Sequence, residues 1–158
     1  CIRDRSLIFS ASIPPANAAA ALKALEILEN EPERRNRLWE NTRKMKQGLS
    51  QLGYDTGVSE TPIIPVVMKD NKDASEKLRH LPGSEHFLNL GLLPADIIGL
   101  AMWRALHDAG VFINIIFPPA VPPGRTLLRT SYTATHTPEQ LDFALDAFAR
   151  VGKELGVI

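Results

Sequence analysis

The sequence predicts an α+β domain: a small three-stranded sheet, antiparallel or mixed, with helices packed on one face. Three observations carry this. Apolar residues recur at helical spacing over long stretches at both ends of the chain. Only three short runs, residues 63–68, 111–116 and 126–133, have strand character, too few for a doubly wound sheet. Prolines or glycines punctuate most junctions between these stretches, as Pro14-Pro15, Pro32, Gly53, Pro94, Gly110, the prolines of 118–123 and Pro138 do.

The elements follow in order. Residues 2–13 read as an extended leading segment ending at Pro14 and Pro15. Residues 16–28 are strong helix formers, with Ala18, Ala19, Leu22, Leu25 and Leu28 giving a mostly buried face. Four consecutive alanines, Ala18 to Ala21, let another backbone approach closely, as at an interface between domains or subunits. Pro32 breaks the chain before a second helix to about Leu52. Leu38, Met45, Leu49 and Leu52 lie on its inner face, the arginines and lysines between them form a solvated face, and Gly53 stops it.

The first strand, 63–68, contains Pro65, which removes a ladder donor, so this strand starts late or lies near an edge. Asp73 to Glu76 resembles a capping box opening a short helix to Leu81, and residues 82–93 read as a loop. Pro94 starts a helix to Ala109, with Ile98, Met102, Leu106 and Ala109 on one face and Gly110 as the stop. The run 111–116 is apolar on both faces and reads as the central strand. After a loop with four prolines in residues 117–124 comes the third strand, 126–133. Thr137, Pro138 and Gln140 then supply an N-cap, a proline at N1 and a glutamine at N3 for a last helix to Leu155.

The bulk properties are those of one globular domain. The chain has 158 residues, 44% hydrophobic and 23% charged. Its 18 basic residues match its 18 acidic ones, so no basic field points to nucleic acid. No apolar run approaches the length of a membrane span. One cysteine, Cys1, allows no internal disulfide and fits a reducing, cytoplasmic compartment. A start at Cys1 with no leader pattern reads as a piece of a longer protein.

Arg129 is the leading candidate for chemistry. Alternation puts Leu127, Arg129 and Ser131 on one face of the third strand and Leu128, Thr130 and Tyr132 on the other. A guanidinium among apolar neighbours needs a planar anion, and its fork matches a carboxylate with two parallel hydrogen bonds. A structural ion pair with one of the chain's own acids is the alternative. His136 sits beside the Thr137 cap at the end of this strand, as a site-adjacent residue or a packing histidine. The four histidines, His80, His86, His107 and His136, lack metal-ligand spacing, so no metal site is expected. Neither a P-loop nor a dinucleotide-binding glycine motif is present.

Two segments together resemble the α-oxoamine synthases. One is Phe9-Ser10-Ala11-Ser12-Ile13-Pro14-Pro15-Ala16. The other runs from Pro118-Pro119-Ala120-Val121-Pro122-Pro123-Gly124 through Leu128-Arg129 to Ala134-Thr135-His136-Thr137. Between them, Arg37-Leu38-Trp39-Glu40-Asn41, Thr61-Pro62-Ile63-Ile64-Pro65-Val66 and Ala109-Gly110-Val111-Phe112-Ile113-Asn114 extend the likeness over nearly the whole chain.

The resemblance implies a homodimeric pyridoxal-phosphate (PLP) acyltransferase of the aspartate-aminotransferase fold type, which joins an amino acid to an acyl-CoA, usually with loss of carbon dioxide. This chain matches its C-terminal part. Residues 1–30 would be the leading segment and interdomain helix, 31–158 the small domain, with the PLP-binding large domain outside the sequence. The residue matching Arg129 grips the substrate carboxylate. The one matching Ser10 reaches the cofactor phosphate of the neighbouring subunit. The family's cofactor-anchoring lysine lies upstream in a Ser-Lys motif followed by glycines. None of Lys23, Lys44, Lys46, Lys69, Lys72, Lys77 or Lys153 has that context. No catalytic residue is therefore expected in this chain, and alone it should be inactive. The stretch 71–99 is longer than the family's usual, and the resemblance assigns it no role. Two other readings stay open: a non-catalytic partner subunit of such an enzyme, and a free-standing ligand-binding or regulatory α+β module.

Overall fold

The computed structural model describes residues 13–69, 71–79 and 91–158. The extended reading of residues 2–12 and most of the expected loop at 82–93 lie outside them. The chain forms two compact units, Cys1–Asn36 and Arg37–Ile158.

In the first unit, helix α1 (Pro15–Asn30) starts with a proline at N1, where the missing N–H costs nothing. It buries none of its residues, and Leu22 is 61% exposed. The face on Leu22, Leu25 and Leu28, expected to be mostly buried against another domain and partly exposed without it, stands open in this chain. A single amphiphilic helix cannot cover its own apolar stripe, and the described residues of this unit supply no sheet or bundle to do so.

The second unit holds the rest of helix α2 (Pro32–Gln51), strand β1 (Ile63–Val67), helix α3 (Lys72–Arg79), helix α4 (Pro94–Asp108), strands β2 (Asn114–Ile116) and β3 (Leu127–Ser131), and helix α5 (Pro138–Glu154). The sheet order is β1-β3-β2, with both pairings antiparallel. One side of it packs on a continuous core. Met45 and Leu49 of α2, Ile98, Met102 and Leu106 of α4, and Phe148 and Val151 of α5 meet Ile64, Val66 and Leu128 of the sheet, all at most 1% exposed. Each such side chain contributes roughly 1.5–3 kcal/mol by leaving water. The exposed Lys44–Asp142 ion pair, at 2.6 Å, adds at most about 1 kcal/mol, so the core decides the fold.

Two expectations change here. The run 111–116 is not the central strand: β2 has three residues, lies at an edge and pairs only with β3. Its apolar residues serve other contacts. Ile113 is buried, its carbonyl accepts from Trp103 Nε1 of α4 at 3.1 Å, and Phe112 is left 78% exposed. The central strand is β3. The capping box expected at Asp73–Glu76 is replaced by Asn71, whose Oδ1 accepts from the Ala74 N–H at 3.0 Å and starts α3 two residues earlier.

The remaining punctuation acts as expected. β1 lies at an edge, as Pro65 requires. Gly53 and Gly110 follow α2 and α4 with φ of +96° and +86°, values that β-carbon-bearing residues avoid. Thr137 caps α5: its hydroxyl accepts from the Gln140 N–H at 3.4 Å, and Gln140 Oε1 accepts from the Thr137 N–H at 3.0 Å.

Candidate functional site

The strand that carries Arg129 is fixed from both sides. Leu128 and Thr130 face the core, fully or nearly fully buried, which by alternation turns Arg129 and Ser131 to the open face. The hydroxyl of Thr130 donates to the Ile64 carbonyl across the β1 pairing at 2.9 Å and accepts from Tyr132 Oη at 2.7 Å. Burial pushes the Tyr132 phenol up to about 12, against the opposing effect of its bond to Thr130.

On the open face Arg129 stands in the middle row. Its cross-strand neighbours are Pro65 of β1 and Asn114 of β2. The flanking rows bring Ile63 and Ser131 on one side, and Val67, Leu127 and Ile116 on the other. This is a mainly apolar platform with one cation at its centre. Among the described residues the guanidinium makes no hydrogen bond and no ion pair; the ion pairs of the described residues lie on the helices or at the joint between the first two. The structural ion pair that the sequence left open is not formed among these residues. Five N–H donors in a planar fork, beside apolar surface, suit a carboxylate arriving from outside.

His136 takes a different place. Its Nδ1 accepts from the Thr133 N–H at 3.2 Å, and its ring meets that of Tyr132 edge to face at 6.4 Å. Asn41 of α2 donates through Nδ2 to the carbonyls of both Thr133 and His136, at 3.0 and 3.1 Å. His136 thus fastens the turn between β3 and α5. It also lines a cavity of about 490 Å³ with Val111, Phe112, Tyr132, Phe143 and Ala144. Arg129 is not in the lining of that cavity, so the structure does not bring the two residues together around one void. The chemistry of Arg129 belongs to the open face.

Ser10 lies outside the described residues. Lys23 pairs with Glu26 at 2.9 Å, Lys44 with Asp142, and Lys46 Nζ donates to the Ser59 carbonyl at 2.8 Å. An anionic group of planar shape fits beside the Arg129 fork. No three described His, Cys, Asp or Glu side chains stand close enough to share a metal ion. No helix of the described residues is long and apolar enough to cross a membrane.

Three residues near this platform carry no obvious motif. Asn114 was legible only as one polar residue inside an apolar strand. Asn41 and Asp96 read as ordinary helix residues, yet both are buried and hydrogen-bonded across the fold.

Comparison with known proteins adds the context. A family model, Aminotransferase class I and II, matches residues 2–148. Over 99% of this chain, an 8-amino-7-oxononanoate synthase of Symbiobacterium thermophilum is 45% identical, with 33% of its own length covered. A serine palmitoyltransferase of Caulobacter vibrioides is 37% identical over 98% of the chain and 32% of its own length. A solved structure of SPT with PLP superposes with a TM-score of 0.73 at 32% identity, over 95% of this chain and 32% of that one. The chain therefore spans about a third of the length of the relatives it matches.

Proposed function

The chain belongs to the aminotransferase class I and II family, with α-oxoamine synthases as relatives, and from that premise we propose that it is the C-terminal small domain of a PLP-dependent acyl-CoA:amino-acid C-acyltransferase. In this reading residues 31–158 form the small domain and 1–30 lead into it through the interdomain helix α1. The large domain with the cofactor's lysine belongs to the remaining part of a longer, homodimeric, cytoplasmic protein. Ser10 reaches the cofactor phosphate of the neighbouring subunit.

The observation that carries the reading is the unpaired guanidinium of Arg129 at the centre of an apolar open face. PLP supplies the electron sink that makes the amino acid's α-carbon nucleophilic. The chain's own contribution is orientation. Arg129 takes the carboxylate through two parallel charge-assisted hydrogen bonds, which fixes both its position and its plane. Pro65 and Asn114 stand beside the fork on either side, and mainly apolar rows flank it. Across the whole reaction a carbon–carbon bond forms at the acyl carbon, the thioester C–S bond breaks, coenzyme A leaves as a thiol, and the carboxylate departs as carbon dioxide. His136 keeps the end of β3 in place rather than touching the reacting atoms.

The test is made on the full-length protein loaded with PLP. Free thiol released from acyl-CoA should require both the amino acid and the acyl-CoA. Absence of thiol release over a panel of amino acids and acyl chains would overturn the acyltransferase reading. The 158-residue chain alone, mixed with PLP, should give neither thiol release nor a stoichiometric change in cofactor absorbance.

A further inference from the structure

The platform presents Arg129, and what decides where the guanidinium stands is the register of β3. A slip of one residue would turn Arg129 into the core; a slip of two would carry it about 7 Å along the open face. The strand is reached through the proline-rich loop 117–125, which lacks sheet partners of its own. Within the strand the ladders to β1 and β2 and the Thr130–Ile64 bond hold this register; where the loop enters β3, one residue adds to them.

Thr126 occupies that point and is fully buried, at 0% exposure. Three contacts hold it. Its carbonyl accepts from the Met68 N–H at 2.9 Å. Its hydroxyl donates to Asp96 Oδ1, in the first turn of α4. Its methyl group fills the space beside Gly99, where an added Cβ would lie 2.7 Å from Thr126 Cγ2. Asp96 is itself only 5% exposed, and its other oxygen accepts from the Leu93 N–H at 2.9 Å.

Capping α4 needs a single acceptor, which an asparagine or serine would provide at less desolvation cost. The carboxylate here has a second oxygen, and that one is given to Thr126. Gly99, three residues on, lies on the same side of the helix and leaves room for the threonine methyl. Asp96 and Gly99 together form a socket shaped for one threonine.

We infer that Asp96 and Thr126 act as positioning residues for the reaction: the socket on α4 helps set the register of β3 and so places the Arg129 fork for the substrate carboxylate. The inference rests on the carboxylate role proposed above for Arg129. It gives a role to the end of the stretch 71–99, which the family resemblance leaves without one.

The experiment uses the full-length PLP enzyme with Thr126→Val, Thr126→Ser and Asp96→Asn. Valine keeps the shape of threonine and loses the hydroxyl; serine keeps the hydroxyl. Thr126→Val and Asp96→Asn should raise the amino-acid KM about tenfold, as a misplaced binding group does, while the acyl-CoA KM stays within about twofold. Thr126→Ser should restore most of the amino-acid KM. If the two KM values move in parallel, or only the melting temperature moves, the residues are structural and the inference is overturned. Hydrogen exchange over residues 127–131 judges the socket without turnover: it should quicken in Thr126→Val, and unchanged exchange overturns the inference. Should the wild-type enzyme release no thiol, the functional reading fails separately, and exchange alone decides whether the socket controls the strand.

Discussion

Pro65 lies directly opposite Arg129 in the β1–β3 pairing, and its nitrogen points away from β3. The Met68 N–H bonds to Thr126 and the Tyr132 N–H to Pro62, so the even-numbered residues of both strands bond across the pair. In an antiparallel ladder the odd-numbered residues of β1 then face outward, as the Val67 N–H does toward the Asp55 carbonyl at 2.9 Å. The proline ring stands beside the guanidinium on the open face, while its missing donor falls on the unpaired edge.

From this geometry Pro65→Val should cost at most about 1 kcal/mol in urea unfolding, chiefly through a freer unfolded chain. A loss above about 3 kcal/mol would mean that the nitrogen is engaged with β3 after all.

Two helical glycines should respond differently to alanine, although intrinsic propensity favours both changes by up to about 1 kcal/mol. A Cβ on Gly152 would lie 2.1 Å from Tyr54 Oη, whose hydroxyl is held by the Phe148 carbonyl at 2.9 Å. A Cβ on Gly48 would meet only the Leu145 side chain, its methyls at 2.7 Å and its Cγ at 3.3 Å, and that side chain is partly buried and can shift. Gly152→Ala should lose about 1–3 kcal/mol through overpacking, and Gly48→Ala should stay within about 1 kcal/mol of wild type. Thermal denaturation of the two variants side by side checks this; equal melting temperatures would refute the tight Tyr54–Gly152 contact.

The chain's two tyrosines make a pH prediction. Burial raises both Tyr54 and Tyr132 from 10.0, the latter to about 12. The folded state prefers the neutral phenol. That contribution is complete below pH 10 and is lost as pH rises through about 12. Tyrosinate absorbance of the 158-residue chain should therefore be nearly absent at pH 10 and appear together with unfolding near pH 12. Half-maximal tyrosinate at pH 10 in the folded protein would contradict it.

Much of this was legible in the residues. Pro65 announced an edge strand, Gly53 and Gly110 the helix stops, and the alternation around Leu128 and Thr130 the open side of Arg129. The order of the strands was not. The apolar run 111–116 carries the mark of a central strand, but its residues pack on α4 or lie open, as Phe112 does, and a single sequence does not distinguish these surroundings. The exposed leucines of α1 illustrate the same limit: periodicity marks an apolar stripe and says nothing of what covers it. At the site, Arg129 stood out as a cation among apolar neighbours. Asp96 and Thr126 did not, because their bond joins residues 30 positions apart and neither has an unusual local context.

The most direct measurement is the steady-state kinetics of Arg129→Lys in the full-length enzyme. Lysine keeps the charge and loses the fork, so the amino-acid KM should rise about tenfold or more while PLP content and the acyl-CoA KM stay close to wild type. An unchanged amino-acid KM in an enzyme that still turns over would remove Arg129 from the carboxylate site.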